Sequence, residues 1–388
     1  MIIREEYLKQ IRPFYDSDLI KVITGIRRCG KSVILQTIME EIYKQTDNII
    51  YLNFEKSNDY EKASTKDNLI NYIMSNKKEG KCYIFLDEIQ EIENWWIAIK
   101  DLRLENTSIF ITGSNSKLLS SEFITLLSGR FVSFRIRPFV YKEILQFDNS
   151  ITELDYLVWG GFPGSLGLKD VETKKSYLYD LENTIVINDI IKRFNIKKDY
   201  VFKKIVIFIL KNNARIFSAR NIYRYIKNEG IEVSLNTVIK YITYLKDGYI
   251  IDEISRYSDK NKNELSFYGK IYDADVAFNS LHINTRYDLD HNLENIVYNE
   301  LLFMGYKLNV YEASNKEIDF IAIKNNKIFL IQVAYSVVDE KAYEREFGAF
   351  SSIDNSNQKI IITNDDLDFS TSTVKHIKFK DFLLMKEL

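Results

Sequence analysis

The segment Gly25-Ile26-Arg27-Arg28-Cys29-Gly30-Lys31-Ser32 sets two glycines, an ammonium and a hydroxyl at the spacing G-x-x-x-x-G-K-S. Each of these residue types has a use in gripping a polyphosphate. Glycines let the backbone curl so that its N–H groups face inward, the lysine offers a point charge to the β and γ phosphates, and the serine hydroxyl can ligate Mg²⁺. The expected contacts are therefore Gly25, Ile26, Arg27, Arg28, Cys29, Gly30, Lys31 and Ser32, with Val33 in the first turn of a following helix whose positive end adds to the grip. Further along, the apolar run Tyr83-Ile84-Phe85-Leu86 ends in Asp87-Glu88. A carboxylate at such a strand end can hold the Mg²⁺ water shell while its neighbour polarises an attacking water, so Asp87 is expected to serve the metal and Glu88 to act as the base. A third apolar run, Phe110-Ile111-Thr112, leads into Gly113-Ser114-Asn115, where Ser114 or Asn115 could sense the γ-phosphate or place the water.

Such groups work only if strands carry them to one edge of a sheet. Leu19–Thr24 reads as a strand that enters the glycine segment, and Ser32–Tyr43 has apolar residues at helical spacing. Ile49–Phe54, Cys82–Leu86 and Ser108–Thr112 read as further strands separated by helical patterns, which predicts a parallel, doubly wound sheet. Beyond it, residues 140–195 are helical around Gly160-Gly161-Phe162-Pro163-Gly164 and read as a lid. Helices are predicted at Val201–Asn212, Ser218–Lys227 and Ser234–Lys246, with Ser218 and Ser234 as N-caps; two strands joined by a polar turn follow, the order of a winged helix. From Leu293 the pattern is helix, three strands, helix and strand, a separate α/β domain.

The motifs GIRRCGKS, FLDEIQ, ITGSNSKLLS and LLSGRF, in this order and joined later by KIYDAD and EIDFIAI with IQVAYS, resemble the landmarks of archaeal and bacterial AAA-type ATPases that carry a C-terminal DUF4143 domain. Their relatives are the signal-transduction ATPases with numerous domains and the origin-recognition-like clade. The resemblance implies ATP with Mg²⁺ as ligands and hydrolysis to ADP and phosphate. By the same analogy Arg130, in Ser128-Gly129-Arg130, is an arginine finger or γ-phosphate sensor acting in cis or in trans, and Pro163 packs near the adenine. The C-terminal order of Glu300 on a helix, Asp319 on a strand and Gln332-Val333-Ala334 on the next resembles the PD-(D/E)xK nuclease fold, but with Ala334 at the lysine position and Gln332 in place of an acid. Glu294, Glu300, Glu317 and Asp319 could still gather an ion, although that chemistry wants a lysine beside the water. A surface that binds DNA or protein is the expected remnant.

The expected fold class is thus α/β: a P-loop parallel sheet (1–139), a helical lid (140–196), a winged helix (197–280) and a restriction-endonuclease-like domain (281–388). The 388 residues suit two or three cores, and 46% hydrophobic with 28% charged residues excludes a disordered chain. A net charge of −2 leaves only a local patch for nucleic acid. Between Lys197 and Ile250 bases outnumber acids, which suits double-stranded DNA, with Ser234, Asn236, Thr237 and Lys240 offered to the major groove and Arg256–Lys262 as the wing. A protein partner or self-association is the other reading of that face. Cys29 and Cys82 predict no disulfide, three scattered histidines predict no zinc site, and no apolar run reaches membrane-span length, so the cytoplasm is the expected compartment. Two rival functions remain: a Mg²⁺-dependent nuclease gated by ATP, and a module that holds nucleotide without turnover.

Overall fold

The computed structural model describes residues 2–113, 118, 121–257, 269–283, 287–313, 316–353 and 357–388. The chain divides into two compact units, Met1–Pro138 with Asp247–Tyr249, and Phe139–Lys246 with Ile250–Leu388.

In the first unit a short helix α1 (Glu5–Ile11) precedes β1 (Ile20–Thr24), α2 (Lys31–Tyr43), β2 (Ile49–Asn53), α3 (Ser57–Lys62), α4 (Lys66–Asn76), β3 (Cys82–Asp87), α5 (Trp95–Leu102), β4 (Thr107–Thr112), α6 (Ser121–Leu126) and β5 (Phe131–Arg135). All pairings are parallel, in the order β2-β3-β4-β1-β5. β1, β3 and β4 are buried along their whole length, as strands covered on both faces must be. The core between sheet and helices holds Val22, Leu52, Ile84, Leu86, Ile111, Trp95 and Phe123. Four of the five strands follow the apolar runs of the sequence; β5 does not, because Phe131-Val132-Ser133-Phe134-Arg135 mixes apolar and polar residues, and all but Phe134 are at least partly exposed.

The topology has one consequence for chemistry. β4 lies between β1 and β3, and the parallel direction brings the last residues of β1, β2, β3 and β4 to the same edge. Those last residues are Thr24, Asn53, Asp87 and Thr112, each polar after an apolar run. Ligand sites of open α/β sheets form at this edge.

The second unit opens with α7 (Tyr141–Phe147), α8 (Glu153–Trp159), α9 (Pro163–Leu166) and α10 (Val171–Thr184), which runs into a π-helical turn at Ile185–Ile191. There follow α11 (Asp199–Lys211), β6 (Ile216–Phe217), α12 (Ala219–Asn228), α13 (Leu235–Asp247), β7 (Ile251–Ile254), β8 (Arg256–Tyr257), β9 (Gly269–Asp273) and α14 (Val276–Leu281). The predicted caps are present: the hydroxyls of Ser218 and Ser234 accept from the Asn221 and Thr237 N–H groups at 3.2 and 3.1 Å. β6, β9 and β7 form a small antiparallel sheet. Of the expected wing, Arg256 and Tyr257 form β8, and the remainder lies outside the described residues.

The last part comprises α15 (Leu289–Phe303), β10 (Lys307–Ala313), β11 (Lys316–Lys324), β12 (Lys327–Ala334), α16 (Glu340–Gly348), β13 (Gln358–Thr363), β14 (Val374–Lys378) and α17 (Phe379–Leu384). Its mixed sheet runs β14-β13-β12-β11-β10-β8. β14 and α17 have no counterpart in the sequence reading, since Val374-Lys375-His376-Ile377-Lys378 is short and half polar.

Within this unit the glycines of GGFP answer to Asp275. Gly161 N–H donates to Asp275 Oδ2 at 2.8 Å, and a β-carbon on Gly160, whose φ is +63°, would sit 1.5 Å from Asp275 Oδ1. Burial pushes the Asp275 carboxyl up to about 7, against its hydrogen bonds from Ala277 and Gly161. Glu300 is likewise pushed up by burial, to about 8, while accepting from Tyr141 N–H at 2.9 Å and Tyr156 O–H at 3.4 Å. Both groups hold a proton in the fold at pH values where the unfolded chain has released it. Their stabilising contribution is complete below the ordinary carboxylate range and is lost as pH rises through about 7 and about 8. Within that window each costs up to roughly 1.4 kcal/mol per pH unit. Thermal melts are therefore expected to show a falling Tm between pH 6 and 8, and Glu300→Gln is expected to flatten the slope; an unchanged slope in that variant would refute the assignment.

Candidate nucleotide site

The loop between β1 and α2 is shaped by three residues in the left-handed or positive-φ region, Gly25 (φ 139°), Arg28 (φ 66°) and Gly30 (φ 98°). At Gly25 a side chain is excluded by space as well, because a β-carbon would lie 2.1 Å from the Ile136 carbonyl oxygen. Gly30 is the N-cap of α2, so the loop ends on the positive pole of a thirteen-residue helix. The loop is braced from behind. The Arg4 guanidinium, 3% exposed, donates to the carbonyls of Cys29 (3.1 Å) and Arg137 (2.8 Å), and Cys29 Sγ lies 3.4 Å from Ile136 O. Both cysteines are free and buried, in keeping with the absence of a predicted disulfide.

Lys31 is buried, and its ammonium donates to the loop's own carbonyls, Gly25 O at 3.1 Å and Ile26 O at 3.2 Å. On its far side Glu88 Oε1 is 4.0 Å away. The loop and the acid pair, more than fifty residues apart in sequence, thus meet at one ammonium group.

Asp87 is fully buried and held by three donors: Tyr51 O–H at 3.3 Å, Asn53 Nδ2 at 3.2 Å and the Thr112 hydroxyl. Burial raises the Tyr51 hydroxyl above its ordinary value, which keeps it a donor. Glu88 leaves the strand in a left-handed conformation (φ 54°, ψ 47°), and its N–H donates to Thr112 Oγ1 at 3.0 Å. A non-glycine residue in this region carries strain of about 1–3 kcal/mol, which neighbouring structure must impose. Here it turns the Glu88 side chain away from the strand direction and toward Lys31. Gln90, in the 3-10 turn Ile89–Glu91, then donates from Nε2 to Glu88 Oε2.

Of the residues expected from sequence, the first unit brings together Gly25 to Ser32, Asp87 and Glu88. Ser114 and Asn115 lie outside the described residues. Arg130 is exposed and directly precedes β5, its carbonyl accepting from Ile20 N–H at the amino end of β1. β5 then runs parallel to β1 for five residues before reaching the level of Thr24, so Arg130 begins roughly 15 Å from the loop at about 3.3 Å per residue. Arg130 is thus not among the residues that the first unit gathers at the loop. Pro163 is the first residue of α9 in the second unit and is not part of what the first unit assembles.

Sequence reasoning missed Tyr51, Asn53, Thr112, Gln90 and Arg4. Asn53 and Thr112 had a legible signal, since each is the polar last residue of an apolar strand run. Tyr51 and Arg4 had none.

The acidic residues of the C-terminal part gather differently from expectation. Lys270, from β9, places its ammonium 2.7 Å from Glu294, 3.1 Å from Glu317 and 2.8 Å from Asp319. A lysine does stand beside these carboxylates, contrary to its absence at position 334. It arrives from a strand outside the nuclease-like order, which is why the motif did not reveal it. Glu300 is not in the group. Six residues from Glu294 on α15, it faces another side of the helix and meets Tyr141 and Tyr156.

Among the described residues no helix is long and apolar enough to cross a membrane. Residues 17–145 match the family described as AAA domain, and residues 152–286 match a domain of unknown function, DUF8612, rather than the DUF4143 domain that the motifs resembled. Among solved structures, a Walker-type ATPase of Pyrococcus abyssi has a TM-score of 0.50 at 16% identity, covering 73% of this chain and 96% of that one, which shows a common P-loop ATPase fold. A protein of Haemophilus influenzae described as uncharacterized is 35% identical over 381 residues, 94% of this chain and 93% of its own. Another so described, from Methanocaldococcus jannaschii, is 33% identical over 375 residues, 89% of this chain and 82% of its own. On that identity and coverage the chain belongs to one family with these two proteins, and it carries an AAA domain with the P-loop ATPase fold in its N-terminal part.

Proposed function

We propose that this chain is a molecular switch that binds ATP through Gly25–Val33 and hydrolyses it to ADP and phosphate. The observation that supports it most is the meeting of the Lys31 ammonium with the Glu88 carboxylate at 4.0 Å, beside a strand-end aspartate fixed by three donors. Lys31 would exchange the loop carbonyls for β- and γ-phosphate oxygens, and the amides at the start of α2 would complete the grip. Glu88 would take a proton from the attacking water as oxygen bonds to the γ-phosphorus and the bond to the β-phosphate oxygen breaks. Ser32 and Asp87 would supply oxygen ligands of the kind Mg²⁺ takes, and the ion when bound would offset the charge of the phosphates. Only the triphosphate offers contacts to Lys31 and to the end of β4 together, so the two nucleotide states differ in energy at these elements.

The finer reading concerns the second unit. The order α11, β6, α12, α13, β7, β9 supports a winged helix at 197–280, and the mixed sheet β14 to β8 supports a restriction-endonuclease-like shape at 281–388. Lys197, Lys211, Arg220, Arg224 and Lys240 make no ion pair among the described residues, whereas Lys203, Lys204, Arg215 and Lys246 are engaged by Asp199, Glu229, Asp288 and Glu253. The first group is the one offered to DNA phosphates. Nuclease activity is not part of the proposal, because the Lys270 ammonium fills the middle of the three carboxylates.

The test is phosphate release by the purified chain, with and without double-stranded DNA, for the wild type and Lys31→Ala. The variant is expected to lose ATP binding and turnover together. Equal release from both proteins would remove the P-loop from the reaction, and ATP binding with no release from either would leave a nucleotide-holding module.

A further inference from the structure

Gln90 closes the FLDEIQ motif with no role assigned to it, and its two polar atoms face in different directions. Its Nε2 donates to Glu88 Oε2 at 2.5 Å. A carboxylate can only accept, so the amide nitrogen must be the atom on that side, and the carbonyl Oε1 is turned the other way. That Oε1 is buried and has no hydrogen-bond partner among the described residues. A buried acceptor left without a donor is costly enough that native structures rarely keep one without use.

The place it faces is the carboxyl end of β4. A β-carbon added to Gly113 would lie 2.4 Å from Gln90 Oε1, so the glycine is what admits the carboxamide there. The Glu88 that Gln90 contacts has its other oxygen 4.0 Å from Lys31, and Thr112, next to Gly113 in the chain, binds both Asp87 and the Glu88 N–H. The carboxamide is therefore held between Gly113, which its Oε1 packs against, and Glu88, to which its Nε2 donates.

Resting on the ATPase reading above, we infer that Gln90 is a positioning residue for Glu88, the group that meets the attacking water. Its N–H fixes the Glu88 carboxylate, and its buried Oε1, packed against Gly113, keeps the amide nitrogen turned toward that carboxylate. Glu88, so oriented, takes a proton from the water as its oxygen approaches the γ-phosphorus. The oxygen–phosphorus bond forms, the bond to the bridging oxygen of ADP breaks, and the proton ends on Glu88. No further reactant is required. Left-handed backbone at Glu88 makes the arrangement possible, because two residues later the chain has doubled back far enough for Gln90 to reach the Glu88 carboxylate.

The experiment uses the full chain with ATP and Mg²⁺, reading steady-state phosphate release, ATP affinity from a fluorescent ATP analogue, and the pH dependence of kcat. Gln90→Ala is expected to lower kcat about 100-fold, as loss of one well-placed hydrogen bond to a reacting group does, with ATP affinity within about threefold of wild type. Gln90→Glu sets a second carboxylate against Glu88, so the rising limb of its pH profile is expected to move to higher pH. Gly113→Ala leaves Gln90 chemically intact but displaces its carboxamide, and is expected to lower kcat in the same direction. A kcat within twofold of wild type in both Gln90→Ala and Gly113→Ala overturns the inference, as does a loss of ATP affinity that matches the loss of kcat. If the wild type and Lys31→Ala release no phosphate alike, the ATPase reading itself has failed; if wild type is active, Glu88→Gln is dead and Gln90→Ala is unimpaired, only the role of Gln90 has failed.

Discussion

Glu88→Gln is expected to bind ATP with an affinity within about threefold of wild type and to hydrolyse it roughly 10²–10⁴-fold more slowly, the range typical of removing a general base. The substitution keeps the size of the side chain and its acceptor oxygen but removes the charge that pulls the proton. It also leaves Asp87 untouched, since Tyr51, Asn53 and Thr112 hold that carboxylate independently. The loop is equally spared, because Lys31 is tied to Gly25 and Ile26 and not only to Glu88. Binding and chemistry should therefore separate in this variant, whereas in Lys31→Ala they should fall together. Equilibrium binding of the labelled nucleotide and single-turnover phosphate release distinguish the two. A Glu88→Gln protein that turns over ATP at the wild-type rate would show that another group accepts the proton.

The second large effect is expected in the other unit. Lys270 is 4% exposed and sets its single positive charge among Glu294, Glu317 and Asp319 at 2.7–3.1 Å. Burial works against its charge, but the three carboxylates outweigh burial and hold the ammonium well above the ordinary lysine value. Replacing it by methionine keeps most of the volume and strands three acids together. Breaking a buried pair in this way costs about 3–5 kcal/mol. For a unit of this size that corresponds to a fall in Tm on the order of 10 °C. Calorimetry of Lys270→Met checks it, and adding Glu294→Gln with Asp319→Asn is expected to recover a substantial part of the loss, because the repulsion is then removed along with the attraction. A Tm unchanged in the single variant would mean that the acids are protonated and Lys270 contributes little.

How far the sequence could be read depended on the distance over which each feature is specified. The phosphate loop occupies eight consecutive residues, and its glycines are required by local backbone angles and by the approach of Ile136. Strands covered on both faces declare themselves as apolar runs, so β1, β3 and β4 were legible, as was β2 from its run Ile49-Ile50-Tyr51-Leu52, while β5, with most of its side chains partly exposed and polar residues mixed in, was not. N-caps such as Ser218 and Ser234 are also local, since the side chain bonds an amide three residues on. Even where the polar end of a strand was visible, as at Asn53 and Thr112, nothing local said which carboxylate it would serve.

By itself, the order of residues determined the P-loop, the acid pair at the end of the third strand, the alternation of strands with helices, and the capped helices of the second unit, because short-range sterics and hydrophobic periodicity specify all of these. Only the tertiary structure decided which donors surround Asp87, that Gln90 reaches Glu88, that Arg130 stands at the far end of β5, and that Lys270 rather than a residue of β12 answers the C-terminal acids. Each of those outcomes turns on strand order and register. They are set by how whole faces bury one another, and no single segment carries that information.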